Sequence, residues 1–120
     1  MAEEVNVYLN EYNIKMEKSA YLPIATGLLR AYAEQDEKIK ANSVFKPFFY
    51  HIDSPARILA EYESPAVAGF STSMWNEQLV LTVAAEVKRR WPACLIVLGG
   101  PQVPQEAEDY FKKYSFIDVT

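Results

Sequence analysis

Cys94-Leu-Ile-Val-Leu-Gly-Gly-Pro-Gln-Val-Pro104 carries five consecutive apolar residues straight into Gly99, Gly100 and Pro101. An apolar run with neither face polar is the pattern of a parallel strand covered by helices on both sides. The glycines that end it lack a Cβ, so they permit strained turn geometry and let another molecule approach the backbone, while Pro101 stiffens the exit. Two readings of the turn stand side by side: it redirects the chain, or it opens a ligand crevice at the end of a buried strand.

A second stretch of the same kind lies upstream. Ala66-Val-Ala-Gly-Phe70 is again continuously apolar and runs into Ser71-Thr-Ser-Met-Trp-Asn76. From Asn76 the sequence predicts a helix: Asn76 is a capping residue type, Glu77 stands in the first turn, and Leu79, Val80, Val83, Ala84 and Val87 share one face. Lys88, Arg89 and Arg90 suit its carboxyl end, with Pro92 beyond.

Working outward, residues 5–9 read as a first strand and residues 10–20 as a long polar loop. Pro23 suits the start of a helix on which Ile24, Gly27, Leu28, Ala31 and Tyr32 are expected to form one buried stripe. Residues 35–43 read as a solvated helix end and turn. Residues 45–50 read as a second strand, confined to the sheet edge because Pro47 donates no ladder hydrogen bond. Asp53 or Ser54 caps a short helix from Pro55 that carries Ile58, Leu59 and Tyr62 inward. Residues 105–114 form a last short helix burying Ala107, Tyr110 and Phe111, and residues 116–120 begin a fifth strand.

Strands alternating with helices give βαβ units with right-handed crossovers, hence helices on both faces of a parallel sheet. The expected fold is a small doubly wound α/β domain, Rossmann-type, with five parallel strands in the order 2-1-3-4-5 and three layers. Ligands of such sheets bind outside the carboxyl ends of the strands where strand order reverses, so the loops at 10–22, 71–76 and 99–104 should meet there.

The composition narrows the function. A chain of 120 residues, 50% hydrophobic, is one compact domain. Its 12 basic and 16 acidic residues leave a net charge of −4, which favours neither nucleic acid nor an anionic membrane. No apolar segment approaches the ~20 residues that span a bilayer. Met1-Ala-Glu-Glu4 has the wrong charge for a signal peptide, and the expected compartment is the cytoplasm. Cys94 is the one cysteine and sits in an apolar run, where it reads as a small buried hydrophobe.

Several chemistries lack their residues. There is no Gly-x-Gly-x-x-Gly after the first strand and no Walker loop, and the strand ends lack the paired acids of a phosphoacceptor domain. His51 is the single histidine, at the end of the edge strand, and nothing places Ser71 or Ser73 beside it. No catalytic residue and no protein metal ligand is assigned. What remains is a crevice of small hydroxyls (Ser71, Thr72, Ser73), soft apolar groups (Met74, Trp75), Asn76 and a glycine-rich turn. That set suits a large, flat, partly polar ligand.

These residues carry a resemblance. Gly69-Phe-Ser-Thr-Ser-Met-Trp-Asn76, then a helix, then Ile96-Val-Leu-Gly-Gly-Pro-Gln102, then Phe116-Ile-Asp-Val119, with Tyr21-Leu-Pro23 and Gly27 upstream, resembles the N-terminal cobalamin-binding domain of cobalamin-dependent radical SAM enzymes. The resemblance spans nearly the whole chain. It implies that Tyr21, Leu22 and Pro23, then Ser71, Thr72, Ser73, Met74, Trp75 and Asn76, then Gly99, Gly100, Pro101 and Gln102 line the corrin ring and its side arms. It further implies a C-terminal radical SAM barrel in the same parent chain, holding an iron-sulfur cluster and S-adenosylmethionine, which this sequence lacks. The Asp-x-His-x-x-Gly motif by which other cobalamin proteins replace the cofactor's own base is absent, as it generally is in the radical SAM branch. The alternative reading is a cobalamin-free, flavodoxin-like substrate-binding or interaction module.

Overall fold

In the computed structural model the described residues are 4–16, 19–20, 22–47 and 49–120. The chain runs β1 (Val5–Asn13), a short antiparallel pair β2 (Lys15–Met16) and β3 (Ser19–Ala20), α1 (Ile24–Ala33), α2 (Glu37–Asn42), β4 (Ser43–Phe45) and β5 (Phe49–His51). It continues through α3 (Pro55–Ala60), β6 (Pro65–Ser71), α4 (Glu77–Arg90), β7 (Leu95–Gly99) and α5 (Glu108–Lys113).

The main sheet is parallel, in the order β4-β1-β6-β7, with β5 also paired to β1 and Val119 bridging Val97 beyond β7. This is the expected 2-1-3-4-5 order. The second strand is divided around Lys46 and Pro47, since a proline cannot donate to the ladder, and it stays at the edge. The fifth strand is reduced to a single bridge.

The period of two along the strands sorts their side chains onto two unlike faces. On one face Tyr8, Tyr12, Ala68, Phe70, Ile96 and Leu98 join Ile58 and Leu59 of α3, and Val80, Val83, Ala84 and Val87 of α4, in one core. Tyr110 and Phe111 of α5 pack against it, half-buried. Burial of each such side chain contributes about 1.5–3 kcal/mol. On the other face Val7, Leu9, Val67, Gly69 and Val97 border a groove whose helical wall is α1.

Three expectations need correction. Residues 10–20, read as a polar loop, hold the end of β1, β2 and β3 among their described members. β1 continues to Asn13, because the buried Asn10 is satisfied in place: its amide nitrogen donates to Gly69 O (3.0 Å) and its oxygen accepts from Tyr12 Oη (3.0 Å) and Tyr62 Oη (2.8 Å). Burial pushes both phenols to higher pKa, so they remain donors.

The stripe expected on α1 is not buried. Glu11 Oε1 accepts from Thr26 N (3.0 Å) and Thr26 Oγ1 (3.4 Å), which turns Thr26 to the sheet and Ile24, Leu28 and Tyr32 to solvent. Residues 35–43 hold a second helix, α2, begun by Asp36, whose Oδ1 accepts from Lys38 N (2.9 Å) and Ile39 N (3.1 Å).

The far edge of the sheet is fastened by Asp118. Its Oδ2 accepts from Ile96 N and Lys88 Nζ, each at 2.8 Å, and Lys88 Nζ also donates to Cys94 O (2.9 Å). Desolvation raises the carboxyl pKa, but the Ile96 amide and the Lys88 ammonium outweigh it and hold it below the usual aspartate value of 3.8. A depressed pKa stabilises the fold fully above that ordinary value, and the contribution is lost as pH falls through the lowered one. Asp118→Asn should cost about 1 kcal/mol at neutral pH, after allowance for partial exposure. Urea titrations repeated downward from neutrality should show the penalty shrinking below pH 3.8. A penalty that stays flat with pH would break this assignment.

Candidate functional site

The carboxyl ends of β1 and β6 are drawn together by one side chain. Asn76, 2% exposed, donates from Nδ2 to Tyr12 O and Ser71 O, both at 3.0 Å, and accepts at Oδ1 from Ser73 N (2.7 Å). It precedes α4 as expected, but its side chain makes no bond to that helix. Trp75 Nε1 donates to the same Tyr12 O (3.2 Å). The loop after β6 is thereby tied to the end of β1.

The loop after β7 is tied to β6 through backbone. Thr72 N donates to Gly99 O (2.7 Å) and Gln102 N to Thr72 O (3.1 Å). The structure therefore brings together the loops at 71–76 and 99–102, as the sequence implied. Leu22 and Pro23 lie at the start of α1, which Glu11 anchors to the end of β1, and Leu22 is exposed. Tyr21 lies outside the described residues.

The members of this set differ in what they offer. Met74 is exposed and Trp75 half-exposed, so both leave apolar surface to solvent on the loop after β6. Gly99, Gly100, Pro101 and Gln102 are exposed, and Ser71 is half-buried. Thr72 and Ser73 are buried. Every hydrogen of the Asn76 amide is spent on protein, which makes it a staple of the crevice. Thr72 Oγ1 is buried with no partner among the described residues. An unsatisfied buried hydroxyl costs about 1–3 kcal/mol, a cost that a bound water or ligand group beside it removes.

The two glycines have separate tasks. Gly100 has φ +98°, and a Cβ there would lie 2.5 Å from Thr72 O and 2.6 Å from Thr72 N, so this glycine serves the turn itself. A Cβ on Gly99 would meet nothing within 4 Å. Open space in front of a strand-end glycine is what a closely approaching ligand requires.

That space belongs to a groove of about 660 Å³ between α1 and the sheet. Leu9, Thr26, Leu29, Val97, Gly99 and Pro101 are among its lining residues. Thr26 and Leu29 were missed in the sequence, where the apolar stripe of α1 drew attention to other positions. Glu11 was missed as well, although a carboxylate fifteen residues before a helical Thr carries no local signal.

His51 ends β5 beside Asn13, on the side of β1 away from β6, and is exposed. Cys94 is buried, and desolvation pushes its thiol up to about 11. Among the described residues no three His, Cys, Asp or Glu side chains group to hold a metal ion. No helix among them is long and apolar enough to cross a membrane.

No protein-family model matches the chain. It is 36% identical over 108 residues, 90% of its length, to the 2-(S-pantetheinyl)-carbapenam-3-carboxylate methyltransferase of Streptantibioticus cattleyicolor. It is 40% identical over 115 residues, 94% of its length, to the cobalamin-dependent radical SAM methyltransferase TokK of Streptomyces tokunonensis. The chain spans 16% of the length of each of these curated relatives.

The contrast between the glycines is measurable in the protein alone. Gly100→Ala should lower stability by at least about 2 kcal/mol, from left-handed strain and the clash with Thr72. Gly99→Ala should stay within about 0.5 kcal/mol of the parent sequence. Equal losses in urea unfolding would show that Gly99 also serves the turn.

Proposed function

We propose that this chain, homologous over nearly its whole length to one region of cobalamin-dependent radical SAM methyltransferases, is a cobalamin-binding domain that holds the corrin over the carboxyl ends of β1, β6 and β7. The observation that carries the reading is the open space in front of Gly99 at the mouth of a large apolar groove. The site fits the group in its chemistry. Trp75 and Met74 supply exposed apolar surface for a flat macrocycle, at roughly 25 cal/mol per Å² buried. The Ser71 hydroxyl and backbone groups near Gly99 supply hydrogen bonds for amide side arms. Among the described residues, no ionised side chain lines the groove.

Cobalamin, when bound, supplies a cobalt centre suited to methyl transfer or radical chemistry. The residues of this chain bind and orient it. Asn76 fixes the distance between the strand ends, Glu11 holds the start of α1, and Gly99 leaves the ring edge room to approach. Reaction on a substrate needs the iron-sulfur cluster and S-adenosylmethionine of a barrel elsewhere in the parent protein. Three thiolates are required for such a cluster, and Cys94 is one buried, weakly acidic sulfur. The domain by itself is accordingly a cofactor holder in a cytoplasmic enzyme.

Titration of the folded chain with hydroxocobalamin should give saturable binding. Gly99→Leu should weaken that binding at least tenfold, about 1.4 kcal/mol, with thermal stability nearly unchanged. Absence of binding by the folded protein at high ligand excess would return the reading to a cobalamin-free module.

The lower face of the metal offers a separate check. His51 sits one strand away from the β1–β6 crevice, so no protein imidazole is expected to coordinate. Electron paramagnetic resonance of bound cob(II)alamin should look the same for His51→Ala as for the unaltered chain. Nitrogen triplets that vanish in the variant would make His51 a ligand.

A further inference from the structure

The last residues of β1 are held by their side chains. The registered β1–β6 pairs end at Asn10 with Phe70, and the β1–β5 register shifts between Asn10 and Asn13. Glu11 and Tyr12 therefore fall between regular pairs on both sides. Yet Tyr12 supplies the carbonyl on which the loop after β6 hangs. Asn76 Nδ2 donates to it at 3.0 Å and Trp75 Nε1 at 3.2 Å, which occupies both lone pairs of one oxygen. An acceptor that carries two neighbouring residues needs a fixed position, and regular ladder pairing does not supply it here.

The Tyr12 side chain does. Its ring is fully buried in the core, edge-on to Phe70 at 6.4 Å between centroids. Its hydroxyl reaches two residues back along the same face of β1 and donates to Asn10 Oδ1 at 3.0 Å. That amide is itself held twice more, by Tyr62 Oη donating to Oδ1 at 2.8 Å and by its own Nδ2 donating to Gly69 O at 3.0 Å. Burial raises the Tyr12 pKa well above the ordinary value of 10.0, so the phenol stays protonated and donating. A residue packed at its ring and pinned at its Oη cannot turn its peptide group without displacing a close-packed core.

We propose that Tyr12 is a positioning residue of the corrin crevice: the bond from its phenol to Asn10 sets its carbonyl, and through that carbonyl the placement of Trp75 and Asn76. The inference rests on the cobalamin reading only for what the crevice holds. Tyr12 does not line the groove, so it acts on a ligand through the two residues it carries. Tyr62 shares the acceptor without sharing the task. It follows α3, and loss of its hydroxyl leaves Tyr12 bonded to Asn10.

Nuclear magnetic resonance of the two tryptophan indoles tests the assignment with no ligand present. Tyr12→Phe keeps the ring and leaves Asn10 Oδ1 its bond from Tyr62. The Trp75 Nε1 proton should exchange with water at least about fivefold faster in this variant, because its bond to Tyr12 O opens more readily, while the Trp91 indole stays within about twofold. Tyr62→Phe removes one hydroxyl from the same buried oxygen but leaves Tyr12 pinned, and Trp75 exchange should remain within about twofold of the unaltered chain. Equal acceleration in both variants would make Tyr12 an ordinary core residue and overturn the proposal, as would no acceleration in Tyr12→Phe. Hydroxocobalamin titration then reads the crevice, where affinity should fall at least about threefold for Tyr12→Phe and hold for Tyr62→Phe. Equal affinities beside altered exchange would also overturn the assignment. Absence of binding by the unaltered chain defeats the cofactor reading alone, since the exchange contrast needs no cobalamin.

Discussion

The Asn76 amide fixes the separation of β1 from the loop after β6, and the remaining geometry of the crevice follows from that. Tyr12 O and Ser71 O lie beyond the last β1–β6 pair, Asn10 with Phe70, and both accept from Asn76 Nδ2. Removing one partner of a buried hydrogen bond costs about 1–3 kcal/mol per orphaned group, and this side chain serves three groups. With those groups fixed, the Ser73 turn and the indole of Trp75 take their places on the same carbonyl frame. The loop after β7 then registers against Thr72, and the turn at Gly100 has only one conformation that avoids the Thr72 backbone.

The two faces of the sheet show why such a staple is needed at one end. The α3–α4–α5 face is a dense core, with Tyr8, Tyr62 and Phe49 stacked in series and their hydroxyls satisfied locally. It positions the strands, and its cavity, about 400 Å³ between β5 and α3, is smaller than the groove on the α1 face. The α1 face supplies the space, and its helix is attached mainly through the Glu11 carboxylate at Thr26. A groove persists there because α1 stands off on a polar contact instead of settling an apolar stripe onto the strands. Rigidity on one face and room on the other is the arrangement a pre-formed cofactor site requires.

Much of this was legible in the sequence because it was written in local patterns. The apolar runs before Gly69 and Gly99, the Ser54-Pro55 start of α3 and the Val80-Val83-Ala84-Val87 stripe of α4 each declare their environment within a few residues. Strand order followed from Pro47 and from the handedness of crossovers. The failures at β1 and α1 are long-range satisfaction, whereas α2 begins on a local cap, Asp36, inside a stretch read as a helix end and turn. Asn10 and Asn13 look like loop residues until Gly69, Tyr62 and the rest of the buried network are present to receive them. The α1 stripe pointed to burial because periodicity reports amphipathicity and is silent on which partner covers the apolar side. Among the expected site residues, the strand-end loops were recoverable from glycine and hydroxyl content. The division between residues that face a ligand and residues that hold the loops was not, because it depends on where each hydrogen bond goes.

That division changes what the glycine pair means. Both glycines look available for a ligand in the sequence, and a bulky residue at Gly100 would be expected to fill ligand space. In the folded chain the Gly100 Cβ position is filled by Thr72 backbone, and only Gly99 looks out on open volume. The pair is therefore a turn-maker following a window, and the order matters. The strand must end with the window so that its last carbonyl can accept from Thr72 N, and the turn must come next so that Gln102 N can return to Thr72 O. Reversing the order would put a left-handed residue inside the ladder and a free Cβ position outside the crevice. The same backbone exchange that closes the β6–β7 loops thus aims the opening, and this is the link from a two-residue sequence feature to the place where a ligand can sit.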